Sequence, residues 1–444
     1  MSAVKRVAKS LSRLDHRSVG NRQNLFFFDE ASTGSCFFKP RGAHIYNKLI
    51  SYLRKEYKQR NYEEVITPNI YDRRLWETSG HWDHYKNNMI GFQLGESNYG
   101  LKPMNCPSHC LMFKYDGIKN SSELPVRWAD FGVLHRNEQS GCLLGLSRVR
   151  RFQQDDAHIF CTPDQIESEV EGCLQFAKEV YTKFGFTFDM ELSLRPESYL
   201  GSSEIWDKAE NSLRKALEGA KVIWHERKAE GAFYGPKIDM VVNDNLNRRF
   251  QCATIQLDFQ LPDRFELVYK NLESKSLERP VIIHRAILGS IERFIAMFAE
   301  NCGGRWPFWL SPLQAKVIPV HTNFNSEAKR VNTELRRSGF LTDCDLGEST
   351  LNFKIREAAM LPYNLILIVG PRESVSNSVN CRITSSTHLS DTDCDSSTGK
   401  GKLSVHNINI TLPEFVNHLK EFNERQVDRA DLELLRLISD KNRS

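Results

Sequence analysis

Residues 131–161 carry two strand-like segments on either side of a glycine-containing loop, and this arrangement predicts a β-hairpin. The first arm, residues 133–135, is short and apolar. Residues 139–145 supply turn-forming side chains, and the second arm, residues 148–160, has apolar residues at strand spacing. A folded hairpin brings the charged and polar side chains of its arms together. These are Arg136 and Glu138 on the first arm and Arg148, Arg150, Arg151, Gln154, Asp155, Asp156 and His158 on the second.

An arginine on each arm indicates a site that holds a polyphosphate between the arms. The guanidinium group is planar and permanently charged, and its paired N–H groups match phosphate oxygens. The residues alone leave an alternative open, because arginine and glutamate on a solvated hairpin are commonly ordinary surface charge.

Composition places the chain among globular proteins of two or three domains. It has 444 residues, of which 40% are hydrophobic and 26% are charged. No apolar run approaches the roughly 20 residues that a bilayer requires, so we expect no membrane span. The eleven cysteines are scattered without a Cys-x-x-Cys pair, which favours a reducing compartment over a disulfide framework.

Charge is uneven along the chain. The net charge is +4, but residues 1–22 hold six basic residues and one acidic residue. Nucleic-acid binding would therefore depend on local patches. Residues 1–14 contain no acid and have apolar residues at helical spacing, which is typical of a short mitochondrial presequence; the alternative is a disordered basic tail. We accordingly predict a mitochondrial matrix location, with the cytoplasm as the alternative.

Regular elements are predicted on both sides of the hairpin. Residues 43–60 form an amphipathic helix, and residues 63–66 form a strand that ends at Pro68. Helices are also predicted at residues 163–184 and 203–218. Beyond Pro312 the pattern becomes β-α-β-α-β, with strands at 316–320, 341–344 and 364–369 and helices at 326–339 and 351–361, and a further helical segment at 412–438 is broken near Asp428.

Residues 280–300 form a second informative stretch. Residues 281–283 predict a strand that ends at His284. Gly289 and Ser290 interrupt the apolar run that follows, and residues 291–298 predict an apolar helix. This helix carries Arg293. An arginine on an apolar helix requires a partner, and a phosphate would supply one.

Several polar residues outside these stretches indicate a ligand site. Cys106 is predicted at the end of a strand, facing a cleft, and His81 lies beside a glycine. The alternatives are an inert buried cysteine and a structural histidine. Tyr234 and Lys237 flank a Gly-Pro turn. Thr254 and Gln256 share one face of a strand with Gln251 nearby, and such buried polar groups need a bound partner.

The pattern His-Arg-x-Glu, a loop and Arg-x-Arg-x-Phe-x-Gln-Asp-Asp-x-His resembles the second signature motif of class II aminoacyl-tRNA synthetases. Its Gln-Asp-Asp-Ala-His end resembles the threonine-specific members. Residues 43–68 are similar to the first motif, which builds the family's homodimer interface, and residues 280–300 are similar to the third.

This resemblance implies an α+β catalytic domain with the antiparallel class II synthetase sheet, followed by an α/β anticodon-binding domain. The expected divisions are residues 1–24 for the basic segment, 25–311 for the catalytic domain and 312–444 for the anticodon-binding domain. Because about 24 residues precede the catalytic domain, we expect a short form without the N-terminal editing domains. At residue 108 the chain has serine where relatives usually have glycine.

The implied function is ATP-dependent ligation of L-threonine to tRNA(Thr) through a threonyl-adenylate, by a homodimer. The alternative is a catalytically inactive, synthetase-like RNA-binding or accessory protein. A zinc ion would be held by Cys106, His158 and His284, and it would recognise the amino acid. Magnesium would accompany ATP.

The resemblance also implies roles for individual residues. The ATP-binding residues would be Arg136, Glu138, Arg148, Gln251 and Arg293. The threonine-binding residues would be Gln154, Asp156, Tyr234 and Gln256. The catalytic residues would be Arg136, Arg293, His81 and Lys237. Anticodon contacts would come from Asn352, Lys354 and Arg382, although polar residues at such spacing are also typical of a solvated helix face.

Overall fold

The computed structural model describes residues 15–220, 222–232, 234–243, 248–386 and 403–441. The predicted presequence in residues 1–14 lies outside these described residues. The chain forms two compact units. One comprises residues 26–37 and 46–301, and the other comprises residues 15–25, 38–45 and those from 302 onward. Among the helices described, none has both the length and the apolar character needed to cross a bilayer.

A nine-stranded sheet dominates the first unit, and most of its neighbouring strands are antiparallel. The long strand Val281–Ser290 lies in the middle, between Arg249–Asp258 and Arg151–Cys161. In order, the sheet contains Trp224–Arg227, Thr187–Ser193, Lys237–Asn243, Arg249–Asp258, Val281–Ser290, Arg151–Cys161, Val126–Asp130 and Glu63–Glu64. The strand Val133–His135 pairs with Arg151–Cys161 beside this path.

Amphipathic helices supply much of the core around this sheet. The helix Ile166–Lys183 buries Val170, Leu174, Ala177 and Tyr181, whose spacing of three or four residues places them on one face. The other helices of at least ten residues in or entering this unit are Pro40–Gln59, Cys106–Tyr115, Ser203–Gly219 and Ile291–Asn301. Shorter helices are Arg73–Thr78, His81–Tyr85 and Gln260–Arg264.

Short strands complete the part of this unit that the structure describes. Ile70–Asp72, Ser97–Leu101 and Gly91–Leu94 form one small sheet, and Leu277–Glu278, Tyr269–Lys270 and Lys119–Asn120 form another. Phe26–Phe28 pairs with Cys36–Phe38.

The second unit is built on a five-stranded sheet. Its order is Thr342–Cys344, Ala315–Pro319, Leu365–Val369, Ser378–Ser386 and Leu403–Thr411, of which the first three are parallel. Its helices are His16–Gln23, Asn325–Arg337, Leu351–Met360, Pro371–Ser376, Leu412–Glu424 and Ala430–Lys441. The predicted β-α-β-α-β order and the break near Asp428 are therefore confirmed.

The predicted hairpin is also confirmed, since Val133–His135 pairs antiparallel with Arg151–Cys161. Its second strand begins at Arg151, so Arg148 lies in the loop. Arg136 and Glu138 follow the first strand instead of lying within it. The hairpin still joins its arms, because a nitrogen of Arg148 lies 2.8 Å from a carboxylate oxygen of Glu138.

Three predicted boundaries are wrong. The strand predicted at residues 63–66 contains only Glu63–Glu64. His284 does not close a strand, because Val281–Ser290 continues through it to Ser290. Cys106 begins the helix Cys106–Tyr115 and does not end a strand. Ser108 lies in the first turn of this helix and donates a hydrogen bond to the Tyr71 hydroxyl at 2.8 Å, so serine is accommodated there.

Candidate active site

Three metal-ligating side chains meet at the centre of the large sheet. Sγ of Cys106 and one ring nitrogen each of His158 and His284 all lie within 4.8 Å of one another, and all three residues are buried. His158 and His284 are directly opposite each other on adjacent antiparallel strands. The helix that begins at Cys106 brings in the sulfur. One cysteine and two histidines are suitable ligands for zinc, and three protein ligands leave room for a further one.

Neighbouring groups fix which ring nitrogens face this cluster. Nε2 of His284 lies 2.9 Å from an Asp258 carboxylate oxygen, so Nε2 carries the proton and Nδ1 is left for the cluster. Nδ1 of His158 lies 2.7 Å from Nδ1 of His109. The Asp130 carboxylate, 3.8 Å from Nε2 of His109, favours a proton there. His109 then accepts from His158, which leaves Nε2 of His158 for the cluster.

Burial controls the charge of the cluster. Burial lowers the pKa of His158 well below its usual value, and the nearby His284 adds to this effect. A neutral imidazole is the form that binds metals. Burial also raises the pKa of the Cys106 thiol well above its usual value, as does the neighbouring Asp156. A cation among these ligands would stabilise the thiolate, so the donor set fits a divalent metal.

Polar side chains lie close to the cluster. The Asn105 amide donates to Asp156 Oδ2 at 3.0 Å, and the Tyr234 hydroxyl donates to Gln256 Oε1 at 3.0 Å. The rings of Tyr234 and His284 are 5.6 Å apart. Burial raises the pKa of Asp156, although His109 and Asn105 oppose this. Donors, acceptors and a carboxylate therefore lie beside the metal-ligating group.

Two of the predicted catalytic residues, His81 and Lys237, differ in their surroundings. His81 is buried, and its Nε2 lies 3.9 Å from Sγ of Cys106. Burial lowers the pKa of His81 to about 4, so the ring is neutral near pH 7. Lys237 is paired with Asp239 at 2.5 Å, and Asp239 also accepts from the Thr254 hydroxyl at 3.0 Å.

A cavity of about 310 Å³ is lined by several positively charged side chains. Six of the predicted site residues line it, namely Arg136, Glu138, Arg148, Gln154, Gln251 and Arg293. Burial lowers the pKa of Arg293, and repulsion from Arg136 and Arg148 contributes. A bound polyanion would relieve this repulsion, and three arginines can contact several of its oxygens.

An irregularity in the Arg249–Asp258 strand explains how Gln251 reaches this cavity. Gln251 and Thr254 are three residues apart, so a regular strand would direct them to opposite faces. The register with the neighbouring strand shifts between the partners of these two residues, and both line the cavity. Thr254 and Gln256 remain on one face, as predicted.

Some supporting residues were not predicted. Asn105, His109 and Asp258 contact the metal-ligating residues or Asp156, and Asp130 lies 3.8 Å from His109. Only His109 had a usable sequence signal, because it follows Cys106 by three residues and would share its face on a helix. The others depend on contacts between segments distant in sequence.

The predicted anticodon residues differ in exposure. Asn352 is exposed on its helix, and Arg382 is partly buried on its strand. Lys354 is only 2% exposed, and its ammonium nitrogen lies 3.4 Å from the carbonyl oxygen of Asp345. The interpretation of Lys354 as a residue on an RNA-facing surface is therefore wrong, since its charge is held inside the unit.

The chain matches two family models and several known proteins. Residues 88–302 match the tRNA synthetase class II core domain (G, H, P, S and T), and residues 314–397 match an anticodon binding domain. It is 56% identical over 369 residues to Threonine--tRNA ligase 2, cytoplasmic, of Mus musculus, covering 83% of this chain and 47% of that protein. It is 55% identical over 384 residues to Threonine--tRNA ligase, cytoplasmic, of Saccharomyces cerevisiae, covering 86% and 52%.

A solved structure matches over nearly its whole length. It is described as the RNA binding domain of threonyl-tRNA synthetase from Cryptosporidium parvum Iowa II, with 49% identity, a TM-score of 0.84, and coverage of 92% of this chain and 98% of that one. The chain belongs to the threonyl-tRNA synthetase family. It spans about half the length of the curated relatives it matches.

Membership of the threonyl-tRNA synthetase family confirms the predicted fold class, an α+β class II catalytic domain with an antiparallel sheet followed by an α/β anticodon-binding domain. The domain boundaries at residues 24 and 311 stay predictions. The predicted mitochondrial matrix location is wrong, because matching curated relatives from Mus musculus and Saccharomyces cerevisiae are named cytoplasmic.

Gly289 lines the arginine-rich cavity in a conformation that requires glycine, with φ at +72°. A Cβ there would lie 2.9 Å from the carbonyl oxygen of Cys252. We expect Gly289→Ala to lower the free energy of unfolding by about 1–2 kcal/mol or more, measured by urea denaturation. The matched control is Gly172→Ala in the helix Ile166–Lys183, where a Cβ meets nothing within 4 Å.

This control should raise the free energy of unfolding by about 0.5–1 kcal/mol, because alanine is the better helix former. Equal effects of the two substitutions would contradict the assignment of strain to Gly289.

Proposed function

We propose that this chain catalyses ATP-dependent ligation of L-threonine to tRNA(Thr) through a threonyl-adenylate, and that it acts in the cytoplasm. The observation that carries the proposal is the pairing of two adjacent sites on one sheet. The arginine-lined cavity suits a nucleoside triphosphate, and the Cys106, His158 and His284 cluster beside Asp156 suits a small hydroxy amino acid. Family membership supports the same reaction.

In the proposed adenylation step the arginines neutralise and align the phosphates. Arg136 would hold the α-phosphate and the threonine carboxylate, and Arg148 and Arg293 would hold the γ-phosphate. Glu138 would contact adenine, and Gln251 would contact the ribose. Phosphoryl chemistry depends mainly on positioning and charge neutralisation, which this lining and a magnesium ion with ATP can supply.

For amino-acid recognition, Cys106, His158 and His284 would hold one zinc ion. The ion, when bound, supplies a Lewis acid for the amino and hydroxyl groups of threonine. Asp156, held by Asn105 at 3.0 Å, would accept a hydrogen bond from the threonine hydroxyl. Gln154, Tyr234 and Gln256 would line the rest of the amino-acid and adenylate pocket.

Transfer to tRNA requires removal of a proton from the attacking ribose hydroxyl. His81 is buried with its Nε2 3.9 Å from Sγ of Cys106, and its ring is neutral near pH 7 because burial lowers its pKa to about 4. We assign the proton transfer to His81. Lys237 would stabilise the negative charge of the adenylate phosphate, with Asp239 fixing its position at 2.5 Å.

The proposed partners are tRNA(Thr) and a second copy of the chain. Asn352 and Arg382 of the anticodon-binding domain would contact the anticodon. The homodimer would form through the helix Pro40–Gln59 and the following strand, which are similar to the first class II motif.

The proposed activity is tested by threonine-dependent exchange of pyrophosphate into ATP with the zinc-loaded protein. We expect exchange with threonine, and a loss of about 10⁴-fold with valine, which lacks the hydroxyl that Asp156 would bind. Absence of exchange from a folded, zinc-loaded chain would contradict the proposal and favour the accessory RNA-binding alternative.

Arg293→Ala should slow adenylate formation by about 10- to 150-fold, because one charge-assisted contact contributes about 1.5–3 kcal/mol. Transfer from preformed threonyl-adenylate should change less. The control is Arg337→Ala on an exposed part of the helix Asn325–Arg337. Equal losses in the two half-reactions would show that Arg293 has a structural role.

Cys106→Ala should remove both zinc and adenylation, while cooperative unfolding persists, because a metal in an open site is not required to hold the core. The matched control is Cys110→Ala, which alters a buried cysteine one turn further along the same helix. Zinc is measured by elemental analysis. Undiminished zinc in the Cys106 variant would refute the assignment of this ligand.

A further inference from the structure

The two central strands lose their regular register beside the arginine-rich cavity. Gln154 is opposite Ser290, and Asp156 is opposite Ala286. Two steps along one strand therefore correspond to four steps along the other, so the second strand contains a bulge at residues 287–289. A bulge leaves backbone groups without their ladder partners, and buried groups of this kind need replacements.

Side chains supply these replacements. One oxygen of the Asp155 carboxylate accepts a hydrogen bond from the N–H of Ile287 at 2.8 Å, and the other accepts from the N–H of Leu288 at 2.9 Å. On the other side, the Tyr181 hydroxyl donates to the Ile287 carbonyl at 2.8 Å. The Asp155 carboxylate therefore binds two N–H groups of the bulge, and the Tyr181 hydroxyl binds one of its carbonyl groups.

Asp155 is itself fixed in a dry environment. It is fully buried, and its backbone carbonyl accepts from the Tyr57 hydroxyl at 3.1 Å and from the Arg285 guanidinium at 3.2 Å. Burial raises the pKa of Asp155 to about 7, while Arg285 and the two N–H groups favour the carboxylate. No water can replace a lost partner in this buried environment. Removing one of these hydrogen bonds should therefore destabilise the bulge by most of the desolvation cost of the unpaired group.

The bulge leads directly into the cavity. Gly289 and Ser290 line it, and the helix Ile291–Asn301 begins immediately afterwards and carries Arg293. The Ser290 hydroxyl accepts from the Arg293 N–H at 3.3 Å, so the residue that follows the bulge is hydrogen-bonded to the first turn of this helix. Gln154, next to Asp155 on the facing strand, lines the same cavity.

The amino-acid side of the site lies beyond the irregularity. Asp156 to Cys161 pair in unbroken register with residues 281–286, and this regular segment contains His158 and His284. A change in the bulge should therefore move Gly289, Ser290 and Arg293 without displacing the metal-ligating residues.

We propose that Asp155 is a positioning residue for ATP: by holding the N–H groups of Ile287 and Leu288, it sets Arg293 relative to the arginines of the facing hairpin. This inference rests on the proposed function. It assigns to Asp155 a task distinct from that proposed for Asp156, whose carboxylate accepts a hydrogen bond from Asn105.

Asp155→Asn tests the proposal, because an amide offers one acceptor oxygen and presents an NH₂ group to the second N–H. In threonine-dependent pyrophosphate exchange, we expect the KM for ATP to rise about tenfold. The KM for threonine should stay within about twofold of the unmodified protein, and zinc content should be unchanged. An unchanged KM for ATP, or equal rises for both substrates, would overturn the proposal.

Tyr181→Phe provides a second test that leaves Asp155 in place and removes the Tyr181 hydroxyl, which donates to the Ile287 carbonyl and also contacts the Cys252 thiol. It should raise the KM for ATP in the same selective way by about two- to fivefold. If Asp155→Asn does not fold, a KM for ATP unchanged by Tyr181→Phe would by itself overturn the proposal.

The matched control is Glu210→Gln. Glu210 is a buried carboxylate that also accepts from a backbone N–H, that of Arg195 at 2.9 Å, but it lies on the helix Ser203–Gly219. It should leave both KM values unchanged. Exchange activity in the unmodified protein separates the two proposals. If the unmodified protein shows no exchange, the proposed function is refuted. If it shows exchange and Asp155→Asn does not alter it, only the role of Asp155 is refuted.

Discussion

The requirement that buried polar groups have partners organises the centre of this structure. The middle strands place His158, His284, Asp155 and Arg285 where water is excluded. Each would be costly there if unpaired. His284 is held by Asp258, His158 by His109, and Asp155 by backbone N–H groups and Arg285. The same contacts that make burial tolerable also fix the directions in which the site's side chains point.

Two departures from regular pairing shape the arginine-rich cavity. One brings Gln251 to the face that Thr254 already occupies, and the other redirects residues 287–289 so that Gly289 and Ser290 reach the cavity. Regular strands would alternate these residues between two faces. Because of these bulges, residues of the strands Arg249–Asp258 and Val281–Ser290 line the cavity together with the helix that carries Arg293.

Local patterns in the sequence predicted much of the fold. The predictions that were wrong concern residues whose partners lie in other elements. The hairpin, the helix Ile166–Lys183 and the alternating elements after Pro312 each follow from periodicity within a short window. His284 resembled a strand end because a histidine and an arginine interrupt an apolar run. Asp258 and Asp155 make that interruption tolerable, and both come from other strands. Lys354 was predicted to be solvated because its partner Asp345 lies outside the helix, where the helical pattern gives no sign of it.

By itself, the sequence determined the residue types of the site, their order in the chain and, through motif resemblance, the family. It also indicated that Cys106, His158 and His284 belong together, but only by that resemblance, because separations of 52 and 126 residues contain no local metal pattern. Tertiary structure alone decided that their ligand atoms meet within 4.8 Å, which nitrogen of each histidine is available, and that Asp155 holds a bulge. The physical reason is that register, bulges and buried pairing arise between strands, and a linear sequence does not specify which backbone groups will lose their partners.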